Sequence, residues 1–180
     1  MSRGALLVAA LGIAAAACAG GEDLPGLAVT SLAFGDGETI PERHTCAGAD
    51  LSPPLRFEGA PADTAGYAVL MRQADEGAAA EARWIVWGIT AVASGVGEGV
   101  PAGAVPGIGL AQGTNDLGGA RYAGPCPEAD DPEEHRFVFT AYALSAPPAV
   151  DPGATAAQLL AAIEGTVLAE GELEGVYAAE

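Results

Sequence analysis

Arg83-Trp-Ile-Val-Trp-Gly-Ile-Thr90 and Arg136-Phe-Val-Phe-Thr-Ala-Tyr-Ala-Leu144 are apolar at odd and even positions alike. Successive strand side chains point to opposite faces, so these runs read as strands buried on both sides. Tyr67-Ala-Val-Leu-Met-Arg72 is a third strand of the same kind. Working outward, residues 27–34 predict a fourth strand, and Ser52-Pro-Pro-Leu-Arg-Phe57 an extended edge, where proline's missing N–H costs least. Residues 92–122 are glycine-rich and weakly periodic, which predicts a long ordered loop. Its Gly95-Val-Gly-Glu-Gly99 and Gly107-Ile-Gly109 clusters lack the strand–helix frame of a dinucleotide site. Thr155 is placed to cap a helix over 156–164, with Leu159, Leu160 and Ile163 on one face and Gly165 as its stop. A second short helix is predicted around 171–176. Nothing alternates as βαβ, so the fold class is mainly β with one or two C-terminal helices.

The chain has 180 residues, half of them hydrophobic, enough for one domain with a sizeable core. Its 24 acids against 7 bases give a net charge of −17, and every base is an arginine. Without lysine there is no Walker A loop, Schiff-base lysine or Ser–Lys dyad. A chain this acidic repels polyanions, which excludes DNA and RNA as partners.

The N-terminus reads as an address. Met-Ser-Arg3 precedes an uncharged run over residues 4–17, too short for the roughly 20 apolar residues of a spanning helix. The run ends Ala15-Ala-Ala-Cys18-Ala-Gly20, which resembles a bacterial lipobox with Ala15 in place of the usual leucine. The organisation expected is a lipoprotein signal over 1–17, a lipidated flexible tether over 18–27 beginning at Cys18, and one domain over 28–180. That places the protein in the bacterial cell envelope, on the extracytoplasmic side, touching the membrane through its anchor alone. Plain secretion with cleavage at an Ala-x-Ala site is the simpler alternative.

Lipidation of Cys18 leaves Cys46 and Cys126. In an oxidising compartment the first reading is a disulfide. Two buried free thiols and a metal site with His44 and His135 are the other readings, although the spacing matches no standard zinc pattern. His44 itself reads as an exposed loop residue. Serines 31, 52, 94 and 145 sit in no nucleophile elbow, His-Glu-x-x-His is absent, and no cofactor or metal is expected.

Four blocks taken together resemble the phosphatidylethanolamine-binding protein family, in its bacterial Raf-kinase-inhibitor-like branch. They are Asp36-Gly37…Ile40-Pro41 with Thr45-Cys46 and Ser52-Pro-Pro-Leu55; Trp84-Ile-Val-Trp87; Gly113-Thr-Asn115 with Gly124-Pro125-Cys126-Pro127 and His135-Arg136; and Gly153-Ala-Thr155 with the closing segment 167–177. The resemblance implies a large central antiparallel sheet, a smaller sheet and peripheral helices. It also implies a small anion or headgroup pocket at one end of the sheet, built from an Asp-Pro-Asp-x-Pro loop, a histidine of the tryptophan strand and the His-Arg pair. Here the loop reads Gln73-Ala-Asp75-Glu-Gly77, the strand histidine is matched to Val86, and a further histidine to Thr166. The candidate pocket is therefore Gln73, Asp75, Val86, Gly124, Pro125 and His135, short of donors. Five carboxylates (Glu128, Asp130, Asp131, Glu133, Glu134) crowd His135.

The reading is a non-catalytic, lipid-anchored binding protein with a degenerate pocket. Its partner is a small ligand, phosphorylated or headgroup-like by family and neutral or cationic if the donors are lost, or else a protein. The rivals are an interaction lipoprotein with a closed pocket and a weak hydrolase or isomerase using Asp75 and His135. Intact mass of the mature protein from its native host is expected to show a chain beginning at an acylated Cys18, and Cys18→Ala to abolish the acyl mass.

Overall fold

The computed structural model describes residues 24–74, 82–128, 131 and 133–179. The expected signal, Cys18 and most of the tether lie outside them, as does Asp75. The two-sided apolar runs form the middle of the main sheet: β4 (Gly66–Gln73), β5 (Ala82–Thr90) and β8 (His135–Leu144). With β2 (Glu38–Thr39), β7 (Ala111–Gln112) and β9 (Val167–Tyr177) they give the order β2-β9-β8-β4-β5-β7, antiparallel except where β2 meets β9. A smaller sheet, β1-β3-β6, joins β1 (Ala28–Ser31), β3 (Leu55–Glu58) and β6 (Gly95–Val96).

Each face of the main sheet has its own core. Val69, Met71, Trp84, Val86, Phe137 and Phe139 pack toward the small sheet with Val29, Leu55 and Phe57. Leu70, Ile85, Trp87 and Leu144 pack on the other side against Leu159 and Ile163 of α1 (Ala156–Ile163). This second layer is why neither parity of β5 could be polar. The helix forms where Thr155 and Gln158 exchange hydrogen bonds in a capping box.

Two expectations need correction. The segment around 171–176 is not a helix but part of β9, which pairs with β8 from His135↔Tyr177 to Leu144↔Val167. Its inward positions alternate Ala169, Gly171, Leu173, Gly175, so the strand's apolar face is half glycine and its period is muted. Those glycines are required: a side chain at Gly171 would collide with the Leu27 carbonyl, and one at Gly175 with Ile40 and Phe34. The domain also begins before residue 28. Gly26 bridges Glu170, the Leu27 N–H donates to the Glu170 carbonyl, and Leu27 is buried in the core, so residues 26 and 27 belong to the fold and not to a tether.

Cys46 and Cys126 form a disulfide, with Cα atoms 5.3 Å apart, so the free-thiol and metal readings fall away. The bridge clamps the turn that follows the short 3₁₀ segment Glu42–His44 to the segment 122–127. Closing a loop of 80 residues is expected to contribute ~4 kcal/mol by chain entropy. Urea denaturation of Cys46→Ala/Cys126→Ala is expected to show a loss of that order, and a loss under about 1 kcal/mol would mean that the native clamp is strained or the unfolded chain already compact.

Candidate functional site

Gln73 ends β4 and His135 begins β8, so the antiparallel pairing Gln73↔Phe137 brings both to one end of the sheet. Between Met71↔Trp84 and Arg72↔Ala82 the β4–β5 register slips, leaving Arg83 unpaired as a bulge. In a regular strand Arg83 would point away from Trp84's face. The extra residue re-aims it onto the face of Gln73 and His135.

The hydrogen bonds there run in one direction. An Arg83 Nη donates to Gln73 Oε1 at 3.3 Å. Guanidinium has no acceptor, so the Gln73 oxygen must face Arg83 and its amide N–H₂ must face His135. Gln73 Nε2 lies 3.2 Å from His135 Nδ1, which therefore accepts, and the proton sits on Nε2, 2.9 Å from Asp131 Oδ2. Asp131 closes the chain and accepts the Glu133 N–H with its other oxygen. Both imidazole nitrogens are thus engaged, while Arg83 Nε is buried with no partner among the described residues.

Segment 122–125 borders this group. The Ala123 N–H donates to the Arg83 carbonyl, and the Asn115 side-chain amide reaches the same oxygen at 3.4 Å. Trp84 meets Tyr122 edge-on, with ring centroids 5.6 Å apart. The Tyr122 hydroxyl donates to the His44 carbonyl, and burial, with Asp50's charge as second cause, holds its pKa well above the ordinary 10.0. Gly124 and Pro125 are buried here, but their backbone is spoken for: the Gly124 N–H donates to Asp50 Oδ1 at 2.7 Å, and the Pro125 carbonyl accepts from Cys46. A Cβ at Gly124 would collide with the His44 carbonyl, so glycine is needed for this approach.

Of the sequence-derived pocket, Gln73 and His135 converge, Gly124 and Pro125 stand alongside with no free donor, and Asp75 lies outside the described residues. Val86 does not line the site. It sits opposite Val69 and Gln112, fully buried in the core, and Val69 is four residues along β4 from Gln73. The residue missed is Arg83, whose side chain occupies the place given to Val86. His44 is likewise not exposed: its ring is fully buried, with Nδ1 2.8 Å from the Leu51 carbonyl and Nε2 3.6 Å from Glu98. Nothing in composition signals either fact; a lone arginine flanking an apolar strand, next to a register slip, is the only cue.

The sequence profile described as "Phosphatidylethanolamine-binding protein" matches residues 30–178. A UPF0098 protein of Methanothermobacter thermautotrophicus is 38% identical over 146 residues, covering 81% of this chain and 94% of its own. A UPF0098 protein of Chlamydia muridarum is 36% identical, covering 83% and 97%. Among solved structures, a phosphatidylethanolamine-binding protein homologue of Chlamydia trachomatis is similar at a TM-score of 0.73 with 32% identity, covering 86% of this chain and 99% of that one. YbcL of E. coli, described as a member of the mammalian PEBP family, gives 0.76 with 26% identity, covering 87% and 100%.

The Asp131 carboxyl is held below its ordinary 3.8, chiefly by the Glu133 N–H and then by His135. A depressed carboxyl contributes stability above its unfolded value and loses it as pH falls through the folded one. The wild-type acid limb of stability is therefore expected to fall below pH 3.8, and Asp131→Asn to flatten it in denaturation series; an unchanged limb would mean that the contacts of Asp131 with Glu133 and His135 are absent in solution.

Proposed function

The chain belongs to the phosphatidylethanolamine-binding protein family, and we propose that it is a non-catalytic binding protein, tethered in the cell envelope through Cys18, that holds a small ligand by an anionic group. The observation that carries this reading is the guanidinium of Arg83, turned by the bulge onto the face shared by Gln73 and His135. Its unpartnered Nε is a charge-bearing donor of the kind that phosphates and carboxylates take. The family's headgroup carries such a phosphate. A neutral or cationic ligand is the weaker reading, since it rested on lost donors and on the carboxylates around His135, and Arg83 restores a charged donor.

The same geometry favours binding over chemistry. A general acid or base must have a nitrogen to offer, and His135 has given one to Gln73 and the other to Asp131. Arg83 stays protonated and cannot act as a base. The mutual bond of Gln73 and His135 also supports the second reading, an interaction lipoprotein whose pocket is closed.

Calorimetric titration at physiological salt separates them. Inorganic phosphate and phosphoethanolamine are expected to bind and ethanolamine not to. Arg83→Gln, which keeps a donor but no charge, is expected to weaken binding at least about tenfold, roughly 1.4 kcal/mol. Binding of ethanolamine alone, or anion binding indifferent to Arg83, would sink the proposal; silence with all three ligands would favour the closed pocket.

A further inference from the structure

The end of the sheet remote from Arg83 is unlike the rest of this acidic molecule. Three turns meet there, over residues 91–95, 103–110 and 145–150, and none carries a charge. The residues flanking these turns add Asp63, Asp151 and Glu164, and Arg56 pairs with Gly95. Between them lies a groove of about 260 Å³ walled by Ala65, Tyr67, Ile89, Leu144, Pro147 and Pro148. Val92 and Ile108 stand beside it fully exposed, the latter next to the groove residue Gly109. Of the other large exposed apolar side chains, Leu32 shares a second groove with Arg56, Ala93 and Ser94, and Leu117 lies apart, next to Asp116.

The chain enters at this same end. Gly26 lies parallel to Glu170 of β9, so residues before it lead back toward Val167, whose strand partner is the groove residue Leu144. Leu24, the first described residue, is itself half exposed. Ahead of it stands the short segment that runs back to Cys18. The acidic residues gather at the opposite end, with Asp131, Glu133 and Glu134 before His135, and Asp36 and Glu38 beside the far end of β9.

From this we infer that the charge-free end is a docking face for a lipid surface, with Val92 and Ile108 entering the headgroup boundary and the Arg83 site held away from the membrane. The inference rests on the tether at Cys18. An acyl anchor fixes only one point, and shallow apolar insertion adds the second contact that sets orientation. The turns themselves carry no arginine, Arg56 beside Gly95 being the nearest, so insertion is chiefly apolar, and the acidic end faces away from a negative surface.

The full chain, expressed in a host that processes lipoproteins, would be reconstituted in phosphatidylcholine vesicles with brominated acyl chains. Ile108→Trp and Val92→Trp are expected to show at least about twofold more bromine quenching than Leu117→Trp, with the buried Trp84 and Trp87 as the common background. Acylated, vesicle-bound protein with equal quenching at all three positions would overturn the docking face and leave the tether standing. A mature mass without an acyl chain on Cys18, together with no vesicle association, would overturn the tether and the docking face with it. A concentration-dependent blue shift of Ile108→Trp without vesicles would overturn the lipid as occupant in favour of a second copy.

Discussion

The indole N–H of Trp84 is buried in the core and cannot be left without an acceptor, and the Gln112 carbonyl meets it at 2.8 Å. That bond fixes the side chain of Gln112, also fully buried, so that its amide nitrogen gathers the carbonyls of Pro101, Gly103 and Ala120. A long glycine-rich segment with little secondary structure of its own is held against β5 by these few groups. Asn115 does the same one turn later, with the carbonyls of Arg83 and Arg121 on its amide and the N–H groups of Leu117 and Gly119 on its oxygen. The segment that walls the site, Tyr122 to Pro125, follows directly from that anchorage.

The strands of the main sheet were legible because burial on both faces leaves an unambiguous signature, as in Arg83–Thr90. β9 was not, since close approach by Leu27 and Ile40 demands glycine where a strand's apolar residues would otherwise appear. The four blocks identified the family and, with it, the two-sheet architecture. The site was half legible. Gln73 and His135 come together at one end of the sheet, but Val86, matched to the family's strand histidine, lies in the core, and the bulge turns Arg83 to that face instead. A register slip is a property of two strands together, so one strand's sequence does not carry it. His44 was misjudged for a related reason: its burial depends on Leu51 and Tyr122, far apart in the chain or across a turn.

Gln73, Arg83, His135 and Asp131 form a row whose hydrogen-bond polarity is fixed from one end, because arginine can only donate. Replacing an acidic loop residue by glutamine therefore does more than remove a charge. It supplies both an acceptor for Arg83 and a donor for His135, which a carboxylate cannot do. The molecule as a whole is organised along the sheet, with this charged row at one end and uncharged turns at the other.

The sheet's margins carry one more consequence. β2 and β7 are two residues each, and the outer margin of β9 is covered instead by chain segments: Leu27 donates to the Glu170 carbonyl, Gly37 to that of Glu174 and Ile40 to that of Val176, while the Glu174 N–H donates to Asp36. Along β9, Glu170, Glu172 and Glu174 alternate with the inward residues and present a carboxylate ladder on the outward face of the strand. At neutral pH like charge keeps a second copy of this face away, whereas protonating the ladder removes that repulsion.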